Sequence, residues 1–357
     1  MTVLDQLLDR GRLPDGLIRF GIRRLLASRL RDEGSKDRAL GGKHHAAHLE
    51  LLRRSPLALF TAEANEQHYE VPAQFFATVL GPALKYSACA WPAGVDNLAD
   101  AETAALGLVC GRAGLHDGQR VLDLGCGWGS FSLYAAARYP RSSFLAVSNS
   151  HGQRRFIEAE ARRRGLHNLE VRTHNIVNFA PEQRFDRIVS VEMFEHLRNY
   201  GELLERIAGW LEEDGRLFVH IFTHARYGYF FTDEGASDWM ARHFFTGGQM
   251  PARDTLTTFD DHMLAVQRWD IGGEHYARTA EAWLQNLDAN RVKINDVLAE
   301  QLGKQEAAVQ INRWRVFFLA CAELFGYRGG KEWGVTHYLL RPRRGAASHP
   351  EPIAVAS

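Results

Sequence analysis

Between residues 101 and 223, short apolar runs alternate with segments whose apolar side chains recur at helical spacing. The apolar runs predict strands at residues 120–124, 144–147, 169–172, 185–191 and 216–222. The segments between them predict helices at residues 101–113, 131–138, 153–165 and 200–211. Strands separated by helices of this length form βαβ units. The pattern therefore predicts an α/β, Rossmann-like parallel sheet that binds ligands at the carboxyl ends of its strands.

Residues 1–100 lack this alternation and predict a helical cap. Apolar side chains recur at near-helical spacing over residues 17–26, among several arginines, and a polar stretch at 34–42 predicts a loop before a further helix at 46–60. A basic amphipathic helix can rest on an anionic membrane surface. The alternative is a cap helix with solvated arginines, which we favour because Asp32, Glu33 and Asp37 follow.

Residues 224–262 interrupt the strand-helix alternation. They are rich in aromatic side chains and contain Gly247-Gly248, which predicts an inserted helical lid over the site. Residues 263–342 resume the alternation, with strands predicted at 263–271 and 333–340 and a helix at 280–300, and are expected to complete the core and the substrate pocket. Residues 343–357 are small, polar and proline-containing, and predict a disordered tail.

Charge and cysteine usage exclude several classes of function. The 357 residues contain 43 Lys plus Arg against 43 Asp plus Glu, so no electrostatic footprint for nucleic acid is present. The four cysteines are scattered without a C-x-x-C pair, and we expect neither a metal site nor a disulfide framework. No secretory signal and no apolar stretch of about 18 residues is visible. We therefore expect a cytoplasmic protein without an integral membrane segment.

A glycine-rich turn follows the first predicted strand of the sheet. Gly125, Gly127 and Gly129 have the spacing G-x-G-x-G, and Asp123 lies two residues before the first glycine. Glycines let the chain turn tightly and let a ligand approach the backbone. The dinucleotide fingerprint has its last glycine one position later. S-adenosylmethionine suits the site better, because Asp123 can hold the ammonium of its amino-acid tail. The alternative is a buried aspartate that only braces the turn.

Two glutamates and a histidine follow the fourth predicted strand. If the chain becomes helical there, Glu192 and Glu195 share a face at i, i+3 and can hold a cation, while His196 can take a proton near neutral pH. An amine that attacks a methyl donor must lose its proton, so this cluster suits amine methylation. Either His196 or Glu195 can serve as the base, with Glu192 as the partner of the cation. The alternative is that Glu195 and His196 brace a helix start.

Aromatic side chains near the site can favour cations over their ring faces. Phe244, Phe245, Trp333 and Tyr338 are therefore candidates for the walls of the substrate pocket. The alternative for each of them is ordinary core packing.

Several segments, in the same order along the chain, resemble one family of enzymes. They are residues 65–72 (NEQHYEVP), 85–87 (KYS), 121–132 (VLDLGCGWGSFS), 190–200 (SVEMFEHLRNY), 244–251 (FFTGGQMP) and 322–327 (AELFGY). They resemble the plant coclaurine N-methyltransferase family, within the cyclopropane-fatty-acid-synthase-like class I methyltransferases, over residues 60–342. The resemblance implies seven strands with the last antiparallel, and N-methylation of a small, aromatic or benzylisoquinoline-like amine. It also implies S-adenosyl-L-homocysteine as the product, with catalysis by the Glu192, Glu195 and His196 cluster, and is compatible with a homodimer.

The resemblance also implies a set of cofactor contacts. Tyr86 and Ser87 would contact the methionine tail, and Gly125, Gly127 and Gly129 the nucleoside. Asn149 and Gln153 would lie near the ribose, and Asn175 and Ile176 beside the adenine. Many methyltransferases have acidic residues at the positions of Asn149 and Asn175, so in this chain neutral hydrogen bonds must serve there.

Two other functions stay open at this point. The first is cyclopropane synthesis on phospholipids, or C-methylation of a lipid. Lipid enzymes of this family usually have cysteine at the position of Ala88, where it helps to hold bicarbonate, and often glycine at that of Glu192, so both residues argue against this function. The second is a non-catalytic protein that binds S-adenosylmethionine, which the acidic-histidine cluster disfavours.

Overall fold

One mixed β-sheet forms the centre of the molecule. The computed structural model describes residues 3–59, 71–232, 239–343 and 354–356. The sheet strands are β1 (Arg120–Leu124), β2 (Ser143–Ser148), β3 (Leu169–Thr173), β4 (Phe185–Val191), β5 (Leu211–His224), β8 (Met263–Ile271), β9 (Trp333–Pro342) and β10 (Ala354–Ala356). A separate antiparallel pair consists of β6 (Tyr229–Phe230) and β7 (Gln249–Met250).

The strand order is β10-β8-β9-β5-β4-β1-β2-β3. Strands β1 to β5 run parallel, whereas β9 is antiparallel to both of its neighbours, β5 and β8. Without the three-residue edge strand β10, this is the predicted seven-stranded sheet in which the last strand along the chain is antiparallel. The α/β fold class is therefore confirmed. Strand β10 lies in the segment predicted to be disordered; residues 344–353 and 357 lie outside the described part of the chain.

The described helices surround the sheet. They are α1 (Val3–Asp9), α2 (Asp15–Ala39), α3 (His44–Arg54), α4 (Ala73–Val79), α5 (Leu98–Arg112), α6 (Ser130–Arg138), α7 (His151–Arg163), α8 (Tyr200–Trp210), α9 (Trp239–Phe244), α10 (Glu274–Ala289), α11 (Arg291–Leu302) and α12 (Lys304–Gly326). Short 3-10 helices occupy Phe194–His196 and Leu256–Thr258. None of the described helices is long and apolar enough to cross a bilayer.

The helix boundaries follow local capping chemistry where the sequence supplies it. The side chain of Asn97 caps α5 by accepting from the backbone of Asp100, and that of Ser150 caps α7 in the same way from Gln153. Along the central strands, apolar side chains cover both faces, as four of the five residues of β1 are buried. Such continuous burial is expected of parallel strands that helices cover on both sides.

Besides β10, several segments differ from the sequence prediction. The helix predicted at 46–60 ends at Arg54. Helix α2 continues to Ala39 through most of the predicted loop at 34–42, because Glu33 is buried, forms an ion pair with Lys36 and lies 3.0 Å from Nε2 of His44. The helix predicted at 280–300 is two helices that meet at Asn290, followed by α12, which we did not predict. Long helices buried on several sides have too weak an amphipathic period to be recognised from one sequence.

The N-terminal helices pack on the last long helix of the fold. Arg19 of α2 pairs with Glu281 and Glu323, and Arg315 of α12 pairs with Asp15 at the start of α2. At least part of the basic character of α2 is therefore used in contacts within the chain. This favours the cap-helix interpretation for these arginines.

Candidate active site

A cavity opens at the carboxyl ends of β1 and β4, where a parallel sheet is expected to bind its ligand. The turn after β1 forms its floor. The backbone N–H groups of Gly125 and Cys126 both donate to the carbonyl of Val147, which fixes the turn against β2. Gly125 and Gly127 line the cavity. The sequence motif therefore lies where the fold places ligands.

The three glycines of the turn meet three different requirements. A Cβ at Gly125 would lie 2.6 Å from Cγ of Met193, and one at Gly129 would lie 2.7 Å from Cγ1 of Ile157. A Cβ at Gly127 would meet no atom within 4 Å, so it would project into open space. Gly129 caps α6 and does not line the cavity. Its requirement is the close packing of α6 on α7, whereas Gly127 leaves room for a ligand.

Asp123 is a buried acidic residue at the cavity. Its side chain accepts a hydrogen bond from the hydroxyl of Ser132, and the residue is 2% exposed. Burial raises the pKa of Asp123 to about 7, because the hydrogen bond from Ser132 compensates only part of the lost hydration. A cationic ligand beside it would stabilise the ionised form. A buried carboxylate with a cavity in front of it is suited to an ammonium group.

The loop that contains Tyr86 and Ser87 closes another side of the cavity. The carboxylate of Glu102 on α5 accepts from the backbone N–H groups of Ala83 and Lys85, at 2.7 and 3.1 Å. The buried Lys85 ammonium donates to Oγ of Ser87 and to the carbonyl of Ala88, both at 2.6 Å. The loop is thus held from both ends, and Tyr86 and Ser87 line the cavity as the resemblance implies.

Glu192 is held by donors on both of its carboxylate oxygens. Oε1 accepts from the backbone N–H of Ala88 at 2.9 Å and lies 3.0 Å from Nε2 of His220, and Oε2 accepts from the hydroxyl of Tyr276 at 2.7 Å. The backbone of Glu192 has a φ of 49°, a left-handed conformation that is unusual for glutamate. We expected a helical turn to bring Glu192 and Glu195 together. Instead, Glu192 lies between the end of β4 and a short 3-10 helix, and only Phe194–His196 are helical.

Glu195 has a different environment in the same cavity. It is 1% exposed, and its Oε2 has no hydrogen-bond partner among the described residues. Burial, followed by the nearby Glu192 carboxylate, raises the pKa of Glu195 well above its usual value. The ring of His196 stacks on Phe245 with centroids 5.5 Å apart. All three members of the predicted cluster therefore line one cavity, with Glu195 poised to accept a proton or a hydrogen bond.

The aromatic wall differs from the one we expected. Phe245 lines the cavity, but Phe244, Trp333 and Tyr338 do not. Phe244 stacks on Phe317 in the core, Trp333 donates its indole N–H to the hydroxyl of Tyr229, and Tyr338 donates to the carbonyl of Arg253. These three side chains are used in packing. The cavity gains Tyr276 and Phe317 instead, both from helices that the glycine and glutamate motifs do not reach.

The residues expected around the nucleoside are only partly at the cavity. Gln153 lines it, and its side-chain oxygen accepts from Ser148 at the end of β2. Asn149, Asn175 and Ile176 follow the ends of β2 and β3 and do not line it. The side chain of Asn175 instead accepts from the backbone of Val177. The contacts of these three residues with the cofactor stay predictions.

Sequence reasoning missed Lys85 as a site residue, along with Tyr276 and His220. The segment 85–87 was recognised for Tyr86 and Ser87, but nothing in it indicated that the lysine is buried. Tyr276 and His220 come from α10 and β5 and carry no local motif. A single chemical cue was available, since a buried carboxylate such as Glu192 requires donors from elsewhere in the fold.

The sheet topology, the glycine turn and the buried Asp123 define a class I S-adenosylmethionine-dependent methyltransferase. The cofactor fits the residues present: Gly127 leaves the backbone accessible, and Asp123 faces the cavity without a cationic partner among the described residues. Residues 60–331 match the family model described as mycolic acid cyclopropane synthetase. The chain belongs to this family.

Known members of the family include close relatives of this chain. It is 39% identical to (S)-coclaurine N-methyltransferase of Thalictrum flavum subsp. glaucum over 82% of both chains. It is 29% identical to the cyclopropane-fatty-acyl-phospholipid synthase of Escherichia coli (strain K12), over 76% of this chain and 66% of that protein. A crystal structure of coclaurine N-methyltransferase bound to N-methylheliamine and S-adenosylhomocysteine matches with a TM-score of 0.90 at 35% identity, covering 95% of this chain and 98% of that one. The resemblance stated from the motifs is confirmed.

Proposed function

We propose that the protein transfers a methyl group from S-adenosylmethionine to the nitrogen of a small, aromatic, benzylisoquinoline-like amine. The observation that carries this proposal is the pair of acidic side chains in one cavity. Glu192 is held by donors on both oxygens, while Oε2 of Glu195 is buried without a described partner. The first can attract a cation and the second can accept its proton.

Two neighbouring carboxylates favour a cationic ligand. The pKa values of Glu192 and Glu195 are both raised by burial, and the charge of Glu192 further raises that of Glu195. An ammonium placed between them would relieve the repulsion and restore part of the lost hydration. Aromatic rings of Phe245 and Tyr276 at the cavity add favourable faces for a cation and for a flat substrate. An amine is therefore a better substrate than a neutral group.

The proton of the ammonium must leave before the nitrogen can attack. An amine with a pKa near 10 is mostly protonated at neutral pH. We propose that Glu195 accepts this proton, because its raised pKa makes it a stronger base than an exposed glutamate. His196 directly follows Glu195 in the chain, and its ring stacks on Phe245. It can receive the proton from Glu195 in turn. Glu192 remains ionised and keeps the amine oriented.

Asp123, Ser87, Tyr86, Gly127 and Gln153 would hold the cofactor. When bound, S-adenosylmethionine supplies an electrophilic methyl group on a sulfonium. The protein's contribution is to orient the amine and exclude water. Residues 224–262, predicted to be a lid, supply Phe245 to the cavity wall, and we propose that this segment shields the reacting groups. Residues 233–238 of that segment lie outside the described residues.

The amine class rests on the relatives and on the aromatic residues that line the cavity. One relative is named for coclaurine, and another was crystallised with N-methylheliamine. We propose a related amine as the acceptor for this chain. We also propose a cytoplasmic setting, which the four free cysteines support. A homodimer is a further proposal, which size-exclusion chromatography with light scattering would test.

Cyclopropanation or C-methylation of a lipid is the second candidate. It is supported by the relationship to the bacterial phospholipid enzyme and by the exposed apolar residues Leu17, Phe20 and Leu25 on the basic helix α2. Against it, Ala88, His220 and Tyr276 already form hydrogen bonds with the carboxylate of Glu192 at the cavity. The lipid enzymes of the family usually have cysteine and glycine at the positions of Ala88 and Glu192, so this anchored carboxylate is not part of their usual site.

Methyl-labelled cofactor with alternative acceptors separates these functions. We expect label on the nitrogen of 1,2,3,4-tetrahydroisoquinoline and none on vesicles of cis-unsaturated phospholipid. Label in the lipid alone would establish the second candidate. Tight calorimetric binding of S-adenosylhomocysteine with no transfer to either acceptor would identify a non-catalytic binding protein.

A further inference from the structure

A line of buried hydrogen bonds leads from Glu192 across the sheet to an arginine. Oε1 of Glu192 lies 3.0 Å from Nε2 of His220, whose Nδ1 lies 2.8 Å from Nε2 of His337. Nδ1 of His337 lies 2.8 Å from the guanidinium of Arg112. His220 and His337 are each 3% exposed. Four side chains are thus joined through consecutive polar atoms, and only the first of them lines the cavity.

The register of the sheet builds this line. His220 on β5 is paired directly with His337 on the antiparallel strand β9, and His337 is paired with Trp269 on β8. Arg112, in the last turn of α5, lies over the ring of Trp269 at 4.8 Å and reaches His337 from that side. Four elements distant in sequence therefore contribute one residue each. None of the motifs in the sequence indicated this arrangement.

The chemistry of the two end groups fixes the direction of every hydrogen bond. Arginine has only donors, and an ionised carboxylate has only acceptors. A neutral imidazole has one of each. Nδ1 of His337 must therefore accept from Arg112, which leaves its Nε2–H to donate to Nδ1 of His220. The Nε2–H of His220 then donates to Glu192. Both histidines are held in the same tautomer, with the proton on Nε2.

Burial keeps both imidazoles neutral, as this pattern requires. The pKa values of His220 and His337 are lowered well below the usual histidine value, first by burial and then by the positive charges of Arg112 and Lys85 and, for His337, by His220. No carboxylate among the described residues forms an ion pair with Arg112. Its positive charge is therefore directed, through two polarised imidazoles, toward the anion of Glu192.

We propose that Arg112, His337 and His220 are positioning residues that orient the Glu192 carboxylate and keep it ionised to hold the substrate ammonium. This inference rests on the proposed amine methylation. The other groups that face Glu192 are Tyr276 from α10, Ala88 and Lys85 from the loop before α5, and Glu195 from the segment after β4. The buried thiols of Cys89 in the same loop and Cys321 on α12 also lie near it. The line of hydrogen bonds from Arg112 adds the Nε2–H of His220, a donor from the interior of the sheet, to these groups.

Nitrogen-15 NMR of the full-length protein with labelled histidines tests the line of hydrogen bonds directly. His220→Gln and His337→Gln variants assign the two signals. We expect both residues to show a protonated Nε2 and an unprotonated Nδ1, unchanged from about pH 6 to pH 9. An Nδ1–H tautomer or a charged imidazole at either position would overturn the proposal. This measurement does not depend on any acceptor substrate, so it remains decisive if amine methylation itself is not observed.

Kinetics of two variants at one position test the positioning role. In His337→Gln, the amide can still accept from Arg112 and donate to His220, whereas His337→Phe can do neither. For His337→Phe we expect KM for the amine to rise about tenfold with kcat nearly unchanged, and the acidic limb of kcat/KM to move up by about one pH unit. His337→Gln should recover most of this loss. S-adenosylhomocysteine affinity should stay unchanged in both.

The two variants also separate this proposal from a purely structural role. Equal losses in His337→Gln and His337→Phe, or a lower melting temperature without a shift of the acidic limb, would overturn it. If His337→Phe does not fold, Arg112→Met replaces it, at the partly exposed end of the line of hydrogen bonds. We expect KM and the acidic limb to change in the same direction. Methylation of the amine with an unshifted pH profile would reject the positioning chain alone, whereas no methylation by the wild-type protein would reject the proposed function.

Discussion

Tyr276 donates its phenolic hydroxyl to Oε2 of Glu192 across 2.7 Å, from a helix more than eighty residues later in the chain. The ring of Tyr276 stacks on Phe325 with centroids 4.1 Å apart, so the hydroxyl is held in place by core packing. The opposite oxygen of Glu192 is held by the Ala88 backbone and His220. An anion fixed on both sides has a defined position to offer a cationic substrate.

Removing the Tyr276 hydroxyl tests this anchoring. Tyr276→Phe keeps the ring and its stacking but leaves Oε2 of Glu192 without that donor. A hydrogen bond to a charged group contributes about 1.5–3 kcal/mol, so we expect kcat/KM for the amine to fall about tenfold or more. Steady-state kinetics measure the loss, and calorimetry with S-adenosylhomocysteine serves as the control for the fold. Activity equal to wild type would show that this hydrogen bond does not matter for the substrate.

The two glutamates should differ in which kinetic constant they control. Glu192→Gln removes the anion that holds the ammonium and should mainly raise KM for the amine. Glu195→Gln removes the proposed base and should mainly lower kcat, by about a hundredfold or more. Both substitutions preserve side-chain volume. If the two variants change the same constant by the same factor, the division of roles between them is incorrect.

The histidine of the cluster can be tested beside the glutamates. His196→Ala should lower turnover, because His196 is proposed to receive the proton from Glu195, while cofactor affinity stays near that of wild type. Single-turnover assays with labelled cofactor measure the chemical step. Turnover like that of wild type in His196→Ala would refute its role as a proton acceptor.

Cofactor affinity should depend on pH through Asp123. Its pKa of about 7 in the folded protein means that the carboxyl is partly protonated at neutral pH. Because an ammonium favours the ionised form, binding of S-adenosylhomocysteine should release a proton and weaken as the pH falls below about 7. Calorimetry in buffers of different ionisation enthalpy measures that proton. Asp123→Asn should bind more weakly and lose this pH dependence; an unchanged dependence would place the titrating group elsewhere.

In the protein without cofactor, the Asp123 carboxyl makes the free energy of unfolding depend on pH in the direction opposite to that of cofactor affinity. Its pKa is raised above that of an unfolded aspartate, so its contribution to stability is present at low pH. That contribution is lost as the pH rises from about 4 to about 7.

Substitution of two glycines of the turn should affect different properties of the protein, the stability of the fold and the binding of the cofactor. Gly129→Ala places a Cβ 2.7 Å from Ile157 at a φ of 78°, and we expect it to destabilise the fold by about 1–3 kcal/mol. Gly127→Val projects into the open cavity and should abolish cofactor binding; it also strains a backbone φ of 52°, so some stability is lost as well. Thermal unfolding and calorimetry measure the two effects. Wild-type cofactor affinity in Gly127→Val would refute the location of the cofactor.

The sheet could be predicted from the sequence because its signals are local. Strands β1 and β4 are short and have mainly apolar centres, and both were predicted with the boundaries that the structure has. The glycine turn follows β1 immediately, so Asp123 and Gly127 could be placed at the ligand edge of the sheet. Helix α12 was missed because it is buried along much of its length and has no clear polar face.

The part of the site that could not be predicted depends on contacts between distant elements. Tyr276, His220 and His337 lie in ordinary helix and strand sequences. The packing of α10 brings Tyr276 to Glu192, and the register of β5 with β9 joins His337 to His220, which contacts Glu192. Trp333 and Tyr338 show the converse. Both are aromatic residues of β9 that we expected at the pocket, but this strand is buried on both faces along most of its length, so both side chains lie in the core. Composition alone cannot distinguish a wall of the cavity from core packing.

Methyl transfer to an amine nitrogen can be followed by NMR of the product formed from carbon-13-methyl-labelled S-adenosylmethionine and 1,2,3,4-tetrahydroisoquinoline. We expect a labelled N-methyl signal with wild-type protein that is nearly lost with Glu195→Gln. Label found only in phospholipid chains, or no transfer by a protein that binds the cofactor tightly, would contradict this expectation.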